Sequence, residues 1–267
     1  MPRCADTACG RWRPERLVPG WSTGLRYNGH WFCSRTCVEN AARTGFERPA
    51  IMPPAMSALP PLRLGVLLRH VGAVTEAHVT AALDAQRASG RRLGRELCSL
   101  RVVEPDAVLR ALATQAGVSY MASFDVRRVR RDTSGLAPET VRALGLIPFE
   151  ADEAKRLLKV ICVAPVPRIA LRALHQLTGW TPEPFLVDDA TWEQAARLYR
   201  TDRPVDAATV GTVDAVASRV ADAAAAQRSI TVKSAAVDNF TWVRIEGARQ
   251  VSDLLVEEPC LAAPIAR

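Results

Sequence analysis

Apolar residues recur at helical spacing twice within one short stretch. In RLGVLLRHVGAVTEAHVTAALDAQ, Arg63 to Gln86, an early Leu-x3-Leu is followed by Val79, Ala82 and Leu83 on one helical face. The pattern returns in RLGRELCSLRVVEPDAVLRALATQ, Arg92 to Gln115, with Val108, Ala111 and Leu112 in the matching places. Each copy is 24 residues long and Arg87 to Arg91 separate them, so equivalent positions differ by 29. Each copy predicts a short helix after Arg-Leu-Gly, then a second helix opened at Thr75 or Glu104, with Pro105 suited to a first turn. Two such hairpins make a four-helix unit.

Behind the repeat the pattern turns mixed. Pro138–Leu144 reads as a helix. Leu146–Glu150 and Leu157–Val163 read as paired strands. A helix over Pro167–Leu177 stops at Gly179, a strand covers Thr181–Val187, and a helix capped by Asp188 or Asp189 runs to Tyr199. Residues 201 to 212 are polar and read as a break. Val213–Gln227 is an Ala-rich amphipathic helix, followed by strands at Ile230–Ser234, Phe240–Ile245 and Arg249–Val256, an αβββ unit with a loose tail.

Ahead of the repeat, residues 46–61 form a proline-rich, semi-extended linker. Before it, Cys4-x4-Cys9 and Cys33-x3-Cys37 place two thiol pairs across a loop, which suits a tetrahedral zinc site. Glycines among Trp12, Trp21, Tyr27, Trp31 and Phe32 suggest short strands, and a short helix follows Cys37. The layout is similar to a treble-clef or ribbon-type zinc finger. A disulfide pair is the competing reading, disfavoured in a cytoplasmic chain. His30 is an alternative ligand, though it reads better as a turn residue. So small a segment is expected to draw folding energy from the metal.

The fold expected is therefore α+β: a zinc finger over 1–45, the linker, a helical repeat over 62–118, an α/β subdomain over 119–200 and a C-terminal unit over 213–257. Composition narrows the partners. With 35 Lys and Arg against 28 Asp and Glu, the net charge of +7 suits phosphates or nucleic acid, although on charge alone a solvated basic surface is the readier explanation. No signal peptide and no unbroken apolar run of about 20 residues is present, so a cytoplasmic chain without a membrane span is expected.

The two RLG…Q copies, their five-residue spacer and the downstream LGLIPFE…LLKVICVAPVP…LTG pattern resemble the MshEN domain. That domain is the N-terminal domain of type II secretion and type IV pilus assembly ATPases. The resemblance covers about Leu62 to Arg200 and implies a cyclic di-GMP site, each copy gripping half of the dinucleotide. The residues it implies are Arg63, Leu64, Gly65, Leu68, Gly72, Leu83 and Gln86 from the first copy. From the second they are Arg92, Leu93, Gly94, Leu97, Leu112 and Gln115. The chemistry agrees: arginine forks grip phosphate or stack on bases, glycines allow close backbone approach at a helix start, leucines wall purines, and glutamines donate and accept. Each of these residues also has a purely structural reading. The second copy departs by carrying Arg101 where the family has the turn glycine kept as Gly72. Arg101 either disturbs that turn or adds a cation for phosphate. The C-terminal VRIEG, Val243 to Gly247, is weakly similar to the ATPases' second N-terminal domain.

The sequence contains no G-x4-G-K-[ST] phosphate loop and no legible catalytic constellation, so no catalysis is expected. The leading expectation is a non-enzymatic cyclic di-GMP receptor that signals to pilus or type II secretion machinery. The alternatives are an adaptor for that machinery without nucleotide binding, and a zinc-finger nucleic-acid binder using Arg3, Arg11, Arg13, Arg16 and Arg26.

Overall fold

The computed structural model describes residues 3–11, 24–47, 62–130, 134–202 and 205–257. The linker from residue 48 on, Trp12, Arg13, Arg16, Trp21 and the C-terminal tail lie outside the described residues.

Strands β1 (Leu25–Tyr27) and β2 (His30–Phe32) form a hairpin over Asn28-Gly29, whose φ values are 48° and 80°. Asn-Gly adopts that left-handed pair at low cost, which is why it turns tight hairpins. Helix α1 (Arg35–Phe46) follows, capped by Ser34 Oγ accepting from the Cys37 N–H. The repeat folds as α2 (Leu64–His70), α3 (Glu76–Ser89), α4 (Leu93–Ser99) and α5 (Pro105–Ala116). Next come β3 (Ser119–Tyr120), a 3₁₀ turn at Val126–Arg130, α6 (Pro138–Leu144), β4 (Ile147–Asp152) and β5 (Leu157–Cys162). Helix α7 (Arg168–Thr178), β6 (Thr181–Leu186) and α8 (Asp189–Leu198) complete the α/β unit. The chain ends with β7 (Val205–Val210), α9 (Val213–Gln227), β8 (Ser229–Val237), β9 (Phe240–Gly247) and β10 (Val251–Val256).

The fold is α+β with two mixed sheets, ordered β2-β1-β8-β9-β10-β7 and β3-β6-β5-β4. One sequence expectation fails here. The polar stretch 201–212 contains β7, which pairs in parallel with β10 from Val205↔Val251 to Val210↔Val256. An edge strand takes its stability from one neighbour's backbone, so Val-Asp-Ala-Ala-Thr-Val needs little apolar content to be one.

The cysteine segment joins the C-terminal unit. β1 pairs in parallel with β8 through Arg26↔Ser229 and Tyr27↔Ile230, and Asn28 Oδ1 accepts from the Val232 N–H at 2.6 Å. Val38, Ala42 and Phe46 of α1, spaced four apart, bury against Ala217, Val220, Ala221 and Ala224 of α9. Small residues on α9 let the two helices approach closely. Phe46, which composition assigns to the linker, is the last residue of α1 and only 1% exposed. The expectation that metal supplies the segment's folding energy is therefore too strong, because apolar burial against α9 and β8 supplies much of it.

The six-stranded sheet is covered on both faces. Val232, Val243, Ile245 and Leu254 face α1 and α9, whereas Ala235, Val237, Trp242 and Leu255 join the core of the α/β unit. On that second face Arg244 donates to both Asp253 oxygens, at 3.0 and 3.2 Å, and to the Gly135 carbonyl. Thr140 of α6 donates to Asp253 Oδ2. Among the described residues, no helix is long and apolar enough to cross a membrane.

Candidate functional site

Each repeat copy folds the same way, and the copies interlock. Arg63 and Arg92 are N-caps with extended backbone, and the Leu-Gly after each begins a seven-residue helix. α2 packs on α5 and α4 packs on α3, so each short helix rests on the long helix of the other copy. Leu68, Val74, Ala82, Leu97, Val108 and Ala111 form the shared core. The two glycines explain how the halves come so close. A Cβ on Gly94 would meet Val108 Cγ1 at 2.7 Å and Leu64 Cδ2 at 3.4 Å; one on Gly65 would meet Val79 Cγ1 at 3.0 Å and Leu93 Cδ2 at 3.7 Å. Each glycine lies under the leucine of the opposite copy.

The turn after each short helix is also shared. Gly72 has φ of 71° and Arg101 has φ of 55°, with matching backbone bonds from Ala73 to Leu68 and from Val102 to Leu97. Arg101 thus keeps the turn, at the cost of a left-handed backbone that a side chain disfavours. Arg101→Gly is expected to stabilise the chain by about 1 kcal/mol, read as a raised denaturation midpoint with unchanged slope.

The second copy lines a cleft of about 880 Å³ against the α/β unit. Arg91, Arg92, Arg95 and Arg168 supply its cations, and Asp188 and Asp189 its anions. Leu93, Val108, Leu109, Leu112, Val166 and Val187 supply apolar wall. Arginines cross the cleft's edges: Arg92 donates to the Ala164 carbonyl, Arg168 to the Ala116 carbonyl, and Arg95 pairs with Asp189. Gln115 donates to the Leu62 carbonyl, which fixes the start of the first copy beside the end of the second.

The N-terminal cysteines also converge. The Sγ atoms of Cys4, Cys9, Cys33 and Cys37 lie within 4.8 Å of one another. Cys9–Cys33 is 3.5 Å and Cys33–Cys37 is 3.6 Å. Those two pairs are too far apart for a disulfide, whose sulfurs lie about 2.05 Å apart, and all four cysteines are free thiols. The two distances approach the roughly 3.75 Å expected between thiolates around a tetrahedral ion with bonds of about 2.3 Å. The Cys33 N–H faces Cys4 Sγ, and Ser34 Oγ donates to Cys37 Sγ. A backbone hydrogen bond with Arg11 holds Cys9 below the usual thiol range, whereas burial pushes Cys33 and Cys37 up. Four thiols so close do not ionise together without a cation among them. The cluster fits a structural metal. His30 stands at the far end of the hairpin turn, paired with Tyr27, and is not part of the cluster.

No family model matches the chain. A curated relative, the type IV pilus assembly ATPase PilB of Thermus thermophilus, is 24% identical over 123 residues, which are 46% of this chain. The chain is similar to the MshEN-type N-terminal domains of such ATPases. The match spans 14% of the length of PilB. MshE, solved with cyclic di-GMP, aligns at 28% identity over 52% of this chain and 99% of its own, with a TM-score of 0.43. The N-terminal domain of XpsE aligns at 16% identity over 51% of this chain and 93% of its own, with a TM-score of 0.37.

Within the MshEN-like repeat, the residues singled out by sequence divide into three groups. Arg92, Leu93, Gly94, Leu112, Gln115 and Leu64 line the cleft. Leu68 and Leu97 are fully buried in the repeat core, where they shape the wall without reaching the cleft. Arg63, Gly65, Gly72, Leu83 and Gln86 belong to the first copy and do not line the cleft; Leu83 is exposed. Arg91, Arg95, Arg168, Asp188 and Asp189 escaped the sequence reading. Arg95 occupies the place of Val66 in the first copy, so a comparison that keeps shared residues discards it. Arg168, Asp188 and Asp189 arrive from another part of the chain. The polarity of the VPR and VDD stretches between strand and helix is the signal that was available.

Proposed function

We propose that the cleft binds a cyclic dinucleotide of the cyclic di-GMP type, and that the chain is a non-enzymatic receptor for pilus or type II secretion assembly proteins. The cleft's charge carries this reading. Four guanidiniums against two carboxylates line the cleft, with Glu96 3.7 Å from Arg91 behind them, so the cleft stays net positive, the complement of an anionic ligand with phosphodiesters. The guanidinium fork matches phosphate oxygens, and a phosphate on Arg92 or Arg168 replaces a neutral carbonyl acceptor with an anionic one. The apolar walls suit purine faces.

The cysteine cluster is assigned to zinc. Four thiolates form a closed tetrahedral set with no position left for substrate, so the ion is structural. It would pin residues 3–11 to the hairpin and to the first turn of α1.

Calorimetry on the full chain with cyclic di-GMP, and ATP as control, tests the receptor. Arg92→Ala is expected to weaken binding at least about tenfold, the loss of one charged hydrogen bond. Arg63→Ala is expected to cost less, because Arg63 does not line the cleft. Neither heat nor a thermal shift with cyclic di-GMP would sink the receptor reading and favour an adaptor without ligand.

A further inference from the structure

We infer that Asp189 selects guanine over adenine in this cleft, an assignment that rests on the cyclic dinucleotide reading. A site built only for phosphates and apolar base faces has no use for a carboxylate, which repels the phosphates. A carboxylate does suit a ligand edge with two N–H donors side by side. Guanine presents that edge through N1–H and its exocyclic amino group. Adenine sets an amino group beside an unprotonated ring nitrogen, and a carboxylate oxygen opposite that nitrogen meets a second lone pair.

Two carboxylates line the cleft, and their bonding separates them. Asp188 is the N-cap of α8 and spends both oxygens there, Oδ1 on the Thr191 N–H at 2.9 Å and Oδ2 on the Thr191 hydroxyl at 2.6 Å. Asp189, the first residue of α8, instead reaches across to Arg95 of α4 through Oδ2. Arg95 is half of the device. It holds the carboxylate in orientation and offsets its charge against the phosphates. Its counterpart in the first copy is Val66, so the pair exists on the second copy alone. Base selection is thereby placed in one half-site, although the ligand has two identical bases.

The test uses the full chain, with cyclic di-GMP and cyclic di-AMP each titrated into wild type, Asp189→Ala and Arg95→Ala. Wild type is expected to prefer cyclic di-GMP. Asp189→Ala is expected to weaken cyclic di-GMP at least about tenfold and leave cyclic di-AMP unchanged or tighter, so the preference collapses. Arg95→Ala is expected to weaken both ligands and to narrow the preference, since the carboxylate loses the partner that orients it. An Asp189→Ala chain that keeps the preference, or loses both ligands equally, overturns the inference while the receptor reading stands. A wild type that binds neither ligand overturns both. Unchanged thermal midpoints in the variants establish that the effects belong to the cleft.

Discussion

Asp253→Ala is expected to lower stability by about 3–5 kcal/mol, the cost of leaving a buried charge without its partner. Asp253 is 0% and Arg244 6% exposed at the side chain, so little solvent is available to rehydrate the guanidinium. The substitution strips Arg244 of both its Asp253 bonds and leaves Thr140 Oγ1 without its acceptor. The remaining contacts, the Gly135 carbonyl to Nη2 and Glu246 to Nε, leave Nη1 without the carboxylate that it shares between both oxygens. Because Gly135 and Thr140 belong to the α/β unit, the loss also loosens that unit from the six-stranded sheet. Equilibrium unfolding in denaturant measures it. An Arg244→Met, Asp253→Leu double variant is expected to lose less than the single, since it removes both charges together. A single variant with an unshifted midpoint would refute the structural importance of the pair.

Stripping the metal proposed for the four cysteines is expected to release residues 3–11 and leave α1 in place. Structural zinc in isolated fingers contributes an apparent 10–16 kcal/mol at neutral pH, and such fingers unfold without it. Here the same four ligands sit on a segment whose helix shares a core with α9. Arg35 and Arg43 add exposed pairs to Asp222 and Asp214 that contribute little. Residues 3–11 have no comparable burial beyond Cys4 and Asp6, and their ties besides the thiol contacts include Ala5 N–H to the Trp31 carbonyl and Asp6 to Asn40. Hydrogen exchange with and without a chelator checks this. Faster exchange confined to 3–11 and the Cys33 knuckle is the expected result; full exchange throughout α1 would show that the metal, not the apolar core, holds the segment. Metal content after purification, read by mass spectrometry, identifies the ion.

Much of the local structure was readable because its causes are local. The repeat's helices follow from spacing and from Thr75 and Pro105 at their starts, and the structure adds Gly90 and Gly117 in left-handed C-caps. The strands after Leu146 follow from their apolar runs, and the helix ending at Gly179 from its stop signal. β7 was missed because an edge strand is made by its neighbour's backbone. Of the cleft, sequence found the half that repetition marks, Arg92 through Gln115. It overlooked Arg95, because repetition is blind to a residue that only one copy carries.

By itself, then, the sequence determined most of the elements, the duplicated helical unit, the two close cysteine pairs and the resemblance to assembly ATPase N-terminal domains. These depend on residues close in the chain or on a pattern written twice. Only the tertiary structure decided that the first strand lies beside Ser229 and Ile230, that Arg244 and Asp253 join two units, and that Arg168 and Asp189 face the second repeat copy. The contacts that make these joins span from 52 residues, Arg168 to Ala116, to 204, Asn28 to Val232, and nothing local in a chain marks which distant residue will complete a sheet, a bridge between units or a cleft.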